Sequence, residues 1–155
     1  MSVSQRLAEL GIELPPVVPP VAAYVPATVH GGLVYTAGQL PMVSGVLPAT
    51  GKVGDGHGLV PPADAQAYAR QCALNAIAAA AAAAGGVDNL SRVVKVTGFV
   101  ASVPEFTGQP VVVNGASELL GQVFGEAGVH ARSAVGVTVL PLDSPVEVEV
   151  VFALA

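Results

Sequence analysis

Charge is scarce in this 155-residue chain: six Lys and Arg and eleven Asp and Glu make up 11% of it, against roughly 25% in an average soluble protein. Trp is absent, aromatics supply 5%, and a single cysteine, Cys72, leaves no internal disulfide to form. The net charge is −5 and the basic residues are scattered, Arg92 and Lys95 being the nearest pair. A nucleic-acid binder needs a clustered basic stripe to displace counterions from phosphates, so nucleic acid is not expected as a partner. Long apolar runs are lacking too. The longest, Ala76 to Ala84, is nearly all alanine and far short of the roughly 20 residues of a membrane span. The opening MSVSQRLAELG shows no basic stretch followed by an apolar one, the mark of a secretory signal. A reducing, cytoplasmic setting is therefore expected, and the sequon Asn89-Leu90-Ser91 reads as chance. Hydrophobic residues, by contrast, reach 52%. So little charge on so apolar a chain predicts that copies cover part of one another, as a homo-oligomer.

The chain divides by its punctuation. A short helix is expected over about Val3 to Leu10, closed by Gly11. PPVVPPVAAYVP follows, whose prolines forbid helical or ladder bonding and force an extended arm over the domain or a neighbour. Two β-rich runs then flank Gly31-Gly32, a pair suited to the positive φ angles of a two-residue hairpin turn. Met42 to Val60, rich in glycine, reads as a long loop with at most one short strand. The strongest helix runs from about Ala63 to Ala84, with Pro61 and Pro62 before it, Asp64 in its first turn and Gly85-Gly86 after it. Arg92 to Ser102 is a strand, and Pro110 to about Ala127 a second helix stopped by Gly128. SAVGVTVL and VEVEVVFAL are two further strands joined by a turn around Pro141 to Pro145. The order β-β-α-β-α-β-β gives an α+β fold in which two helices cover one face of a mixed sheet. The other face needs covering as well, which again points to an oligomer.

Several catalytic patterns fail on spacing. In GVLPATGK five residues separate Gly45 from Gly51 where a phosphate loop requires four, and Val53 stands where its Ser or Thr belongs. GDGHG lacks the dinucleotide spacing, His30, His57 and His130 occur singly, and no GxSxG elbow is present. No metal or cofactor is expected.

Two features near the C-terminus offer chemistry. Arg132 opens a strand of valine and small residues and presents a rigid cationic fork matched to a carboxylate, unless it serves a structural ion pair or a solvated strand end. Glu147 and Glu149 lie two apart in VEVEVV and share one strand face, either as the alternation of a half-exposed strand or as acidic groups beside a pocket. Asn114, just inside the second helix, is a solvated amide or a pocket group. Cys72, inside the alanine helix, reads as a buried core thiol.

YTAGQLP after the hairpin, the tail ARSAVGVTVLPLDSPVEVEVVFA and the element order between them resemble the RidA/YjgF family over about Tyr24 to Ala155. That family includes imine and enamine deaminases and proteins labelled L-PSP endoribonucleases. The resemblance implies a chorismate-mutase-like fold assembled as a homotrimer with a central barrel and a cleft at each subunit interface. It also implies that residues 1–23, the helix and arm, are an addition to a domain spanning residues 24–155. Position by position, Arg132 matches the arginine that grips the substrate carboxylate and Glu147 the glutamate that positions the hydrolytic water. Gly38 matches a pocket-lining glycine, Tyr24 the aromatic that closes the cleft, and Asn114 the asparagine of the second helix. The sequence departs from the pattern at Ala37, where deaminating members carry serine, at Ala134, where many carry cysteine, and in its longer loop from Met42 to Val60. The implied activity is hydrolytic deamination of 2-imino acids to 2-oxo acids and ammonia, without a cofactor. A non-catalytic module binding small carboxylates is the alternative that Ala37 and Ala134 favour. The endoribonuclease label sits poorly with the net charge of −5.

Overall fold

A computed structural model describes residues 1–17, 20 and 22–155. Helix α1 (Val3–Glu9) starts in a capping box in which Ser2 and Gln5 satisfy each other's free amides, and Gly11 takes a positive φ of 66° just beyond it. Leu7 seats this helix in the core, and the Asp88 carboxylate accepts from the Ser4 amide and hydroxyl at 2.8 and 2.7 Å. Helix and domain thus share one core. Of the expected extended arm, Val18, Pro19 and Val21 lie outside the described residues.

Strands β1 (Ala27–His30) and β2 (Leu33–Thr36) form the expected hairpin, with Gly31 and Gly32 at φ 58° and 78°, the mirror-image turn that matches strand twist. The segment from Met42 to Val60 holds isolated bridges instead of a short strand. One of them lays the fully buried Val53 beside Ser102, just past strand β3 (Leu90–Ala101). Helix α2 (Pro62–Ala84) begins with Pro62 in its first turn and ends on left-handed Gly85. Helix α3 (Gln109–Phe124) stops earlier than expected: Gly125 breaks it, and Gly125–Gly128 is a separate 3-10 turn. Small side chains bring the two helices into contact, and a Cβ at Gly115 would collide with the Gln66 carbonyl.

Strands β4 (Ala131–Val137) and β5 (Val146–Leu154) complete a sheet of order β1-β2-β5-β3-β4. β4 runs parallel to β3 across the α3 crossover, and β5 is antiparallel to both β2 and β3. The last two strands, adjacent in sequence, are thus separated by β3, and Thr138–Leu140 does not continue β4. The mixed sheet with its major helices on one face is the architecture expected from the sequence. Its helix side holds the core, Val93, Val96, Val148, Val150 and Phe152 among it. The other side carries Tyr35, Thr97, Phe99, Val135, Glu147 and Glu149, none of them buried. Among the described residues no helix is long and apolar enough to cross a membrane.

Candidate functional site

The register decides how the predicted site residues relate. Arg132 pairs with Val96, which pairs with Val150, whereas Glu147 pairs with Phe99. Paired positions share a face, so Arg132 points to the helix side and Glu147 to the open side. Two strand spacings and three residues of rise also put their backbones roughly 14 Å apart. Within one chain the cationic fork and the acid do not meet.

Glu147 borders a cavity of about 420 Å³ lined also by Tyr24, Gly38, Leu40, Met42 and Leu142. Three of the expected site residues, Tyr24, Gly38 and Glu147, therefore come together. Gly38 is required by close approach: a Cβ there would lie 2.8 Å from the Glu147 Cδ and closer still to Oε1. Burial raises the Glu147 carboxyl above its ordinary value, and the neighbouring Glu149 charge raises it further. Such a group can both accept and return a proton nearer neutrality than a free glutamate. Ala37 contributes a methyl to this wall. Leu142 stands at the rim in a left-handed conformation (φ 58°), a strain of about 1–2 kcal/mol. The 2.6 Å ion pair of Lys52 with the next residue, Asp143, ties this turn to the long loop.

Buried Asn75, which is not among the site residues expected from the sequence, fixes the Leu40 and Met42 part of the wall. Its amide donates to the carbonyls of Leu40 and Met42, both at 3.0 Å. The signal available in the sequence is that Asn75 is the one polar side chain between Ala73 and Ala84. The buried thiol of Cys72 lies one turn earlier; desolvation holds its pKa well above the ordinary value, with the Glu147 charge adding to the effect.

Arg132 and Asn114 form the second cluster. Arg132 Nη1 donates to Asn114 Oδ1 at 2.8 Å and to Ser117 Oγ at 3.3 Å, and Nη2 donates to the Pro110 carbonyl at 3.2 Å. Three of the five N–H groups of the guanidinium are thereby used, and two remain, the number a carboxylate takes from a bidentate fork. Among the described residues Arg132 has no carboxylate partner. Ala134 lies on this helix side, packed against the core and away from the Glu147 cavity. Ser117 and His130 also belong to the cluster. Their spacing was the available signal: Ser117 is one helical turn from Asn114, and His130 is two residues before Arg132. Among the described residues no group of three or more His, Cys, Asp and Glu comes together as a metal site.

The profile of the family described as "YjgF/chorismate mutase-like, putative endoribonuclease" matches residues 4–154. The chain belongs to that family. It is 43% identical over 155 residues to Protein TCP17 of Trypanosoma cruzi, covering 98% of this chain and 94% of that one. Among solved structures it resembles Atu1372 of Agrobacterium tumefaciens, described as of unknown function (45% identity, TM-score 0.87, 99% and 92% covered). A "putative endoribonuclease" of Shewanella oneidensis is similar at 30% identity and TM-score 0.92, with 99% and 100% covered. TdcF of Escherichia coli, solved with bound serine, matches at 26% identity and TM-score 0.62, with 92% and 94% covered.

Proposed function

We propose that the protein deaminates 2-imino (enamine) acids hydrolytically in a cleft between copies of a cytoplasmic homotrimer. In this reading the Arg132–Asn114 cluster of one copy faces the Tyr24–Gly38–Glu147 cavity of the next. The observation that carries it is the pairing of incomplete halves. Arg132 keeps two donors without a carboxylate, and Glu147 keeps a raised pKa at a cavity wall, on opposite faces of one sheet. The serine bound by TdcF supports a ligand carrying a carboxylate beside a nitrogen-bearing carbon.

The chemistry follows from those groups. Arg132 holds the substrate carboxylate through two parallel hydrogen bonds, so that attack becomes nearly unimolecular. Glu147 takes a proton from a water as the water oxygen bonds to the C=N carbon, and it passes that proton to the nitrogen, which has received the π electron pair. The carbinolamine hydroxyl proton then moves through Glu147 to the nitrogen as the C–N bond breaks, releasing ammonia and the 2-oxo acid and leaving Glu147 as it began. The imine is already a strong electrophile, so no cofactor is needed. Leu40, Met42, Pro26, Pro141 and Leu142 give the cavity apolar walls, which favour an apolar side chain on the substrate.

The test is ammonia release from imines generated in situ by an amino-acid oxidase. Arg132→Ala is expected to lower kcat/KM by about 100-fold or more, and the imine of leucine to react at least about tenfold faster than that of alanine. Wild-type protein no faster than Arg132→Ala defeats the proposal. Ala37 favours a second reading, a non-catalytic carboxylate-binding module, which Arg132-dependent binding of 2-oxo acids without turnover would select. Ribonuclease action, which the family description names, is disfavoured by the net charge of −5.

A further inference from the structure

One connected set of polar side chains, Ser117 and His130, has no part in the chemistry above. His130 Nδ1 lies 2.6 Å from the Gly128 carbonyl oxygen. A carbonyl only accepts, so Nδ1 carries the hydrogen, and in the neutral ring Nε2 is bare. Ser117 Oγ is 2.9 Å from that Nε2 and must donate to it. The hydroxyl has one proton and spends it there, which turns its lone pairs toward Arg132 Nη1 at 3.3 Å. The second Nη1 hydrogen goes to Asn114. Each orientation is dictated by the one before it, from a backbone carbonyl to the guanidinium. The serine–histidine pair resembles a nucleophile and its base, but Arg132 donates into the oxygen that would have to attack. That contact lowers its nucleophilicity and suits a brace instead.

We propose that Ser117 and His130 are positioning residues for Arg132, a relay that holds the guanidinium with its unused N–H groups presented to the substrate carboxylate. The proposal rests on the reading of Arg132 as carboxylate anchor. The residues sit on two elements and the connection between them: Ser117 and Asn114 on α3, Arg132 on β4, and His130 on the connection just before β4. A guanidinium on a long flexible stem is otherwise free to sample many rotamers, and ordering it in advance lowers the entropy lost when the ligand binds.

The probe is 4-methyl-2-oxopentanoate, titrated calorimetrically into the full-length protein. Ser117→Ala and His130→Ala are each expected to weaken binding about tenfold. His130→Gln, whose amide oxygen can accept from Ser117 in place of Nε2, is expected to recover most of the loss. The ring-nitrogen NMR spectrum of His130 should show a protonated Nδ1 and a bare Nε2, with the Nε2 signal displaced in Ser117→Ala. If Ser117→Ala does not fold, Ser117→Cys, a far weaker donor and acceptor, replaces it with the same expected loss. Affinity that Arg132→Ala abolishes but the Ser117 and His130 variants leave unchanged overturns the relay and leaves the anchor standing. Loss in His130→Gln as deep as in His130→Ala also overturns it, because packing alone then explains the effect. Wild-type protein that binds no 2-oxo acid, or binds it independently of Arg132, removes both readings together.

Discussion

The two halves of the candidate site are built by different physics. Around Glu147 the walls are apolar, the backbone approaches so closely that only Gly38 fits, and the carboxyl is pushed away from its ordinary titration. Around Arg132 the surroundings are polar, and the guanidinium is held by the hydrogen bonds it donates to acceptors on α3 rather than by an opposite charge. The first half stores reactivity through desolvation and the second supplies orientation through directed donors. In the proposed cleft neither serves alone, and within one chain the sheet keeps the two on opposite faces. Among the described residues Glu147 has no cationic partner within its chain, so nothing offsets the rise that burial gives it.

The strongest way to break this comparison is to separate the halves genetically. Arg132→Ala and Glu147→Ala homo-oligomers are each expected to lose about 100-fold or more in activity. If a site takes one residue from each of two copies, equal mixing of the two variants before assembly restores about one quarter of the sites. Recovery of ammonia release in co-expressed, co-purified protein measures this, and no recovery in verified mixed oligomers refutes a shared cleft. Gly38→Ala should come next in size. Its methyl collides with the Glu147 carboxylate, displacing it from the water that the proposed mechanism has it activate, with an expected loss of about 100-fold in kcat/KM. Binding of a 2-oxo acid through Arg132 should be less affected. Equal losses in binding and turnover would mean that the two halves are not functionally distinct.

How much of this could be read in the sequence depends on whether a signal was local. The Gly31-Gly32 turn, the proline start and glycine stop of α2, and the alternation of β5 are short-range features, and each appears where it was expected. The end of α3 is ambiguous in the sequence because Gly125 and Gly128 both qualify as stops, and the 3-10 turn between them looks helical in composition. That β4 and β5 do not pair was hidden, because only the parallel α3 crossover shows that β3 comes between them. At the site, Arg132, Glu147 and Gly38 stood out through motifs, whereas Asn75, Ser117 and His130 are ordinary residues whose meaning lies in partners 13 to 35 positions away. The opposite facing of Arg132 and Glu147 depends on a register across three strands, which no local pattern encodes.

The smallest expected effect sharpens the account of the acidic half. Burial, followed by repulsion from Glu149, raises the Glu147 pKa in the folded protein. The native state therefore holds a proton that the unfolded chain has already released. Stability from this group is fully present below the ordinary carboxylate range and declines as pH rises through the raised native value. Glu147→Gln removes the charge, so its benefit has the opposite profile: absent at acidic pH, and complete once native Glu147 is ionised. The gain should stay below about 1 kcal/mol, because the group is only half-buried and solvent screens it. Urea midpoints of wild type and Glu147→Gln at pH 4 and pH 8 measure it. Glu149→Gln should move the same step toward lower pH by removing the repulsion. A variant that is equally stabilised at both pH values, or destabilised at pH 8, would show that Glu147 is held by favourable contacts and not strained by its surroundings. The cavity would then lose its claim to a poised acid.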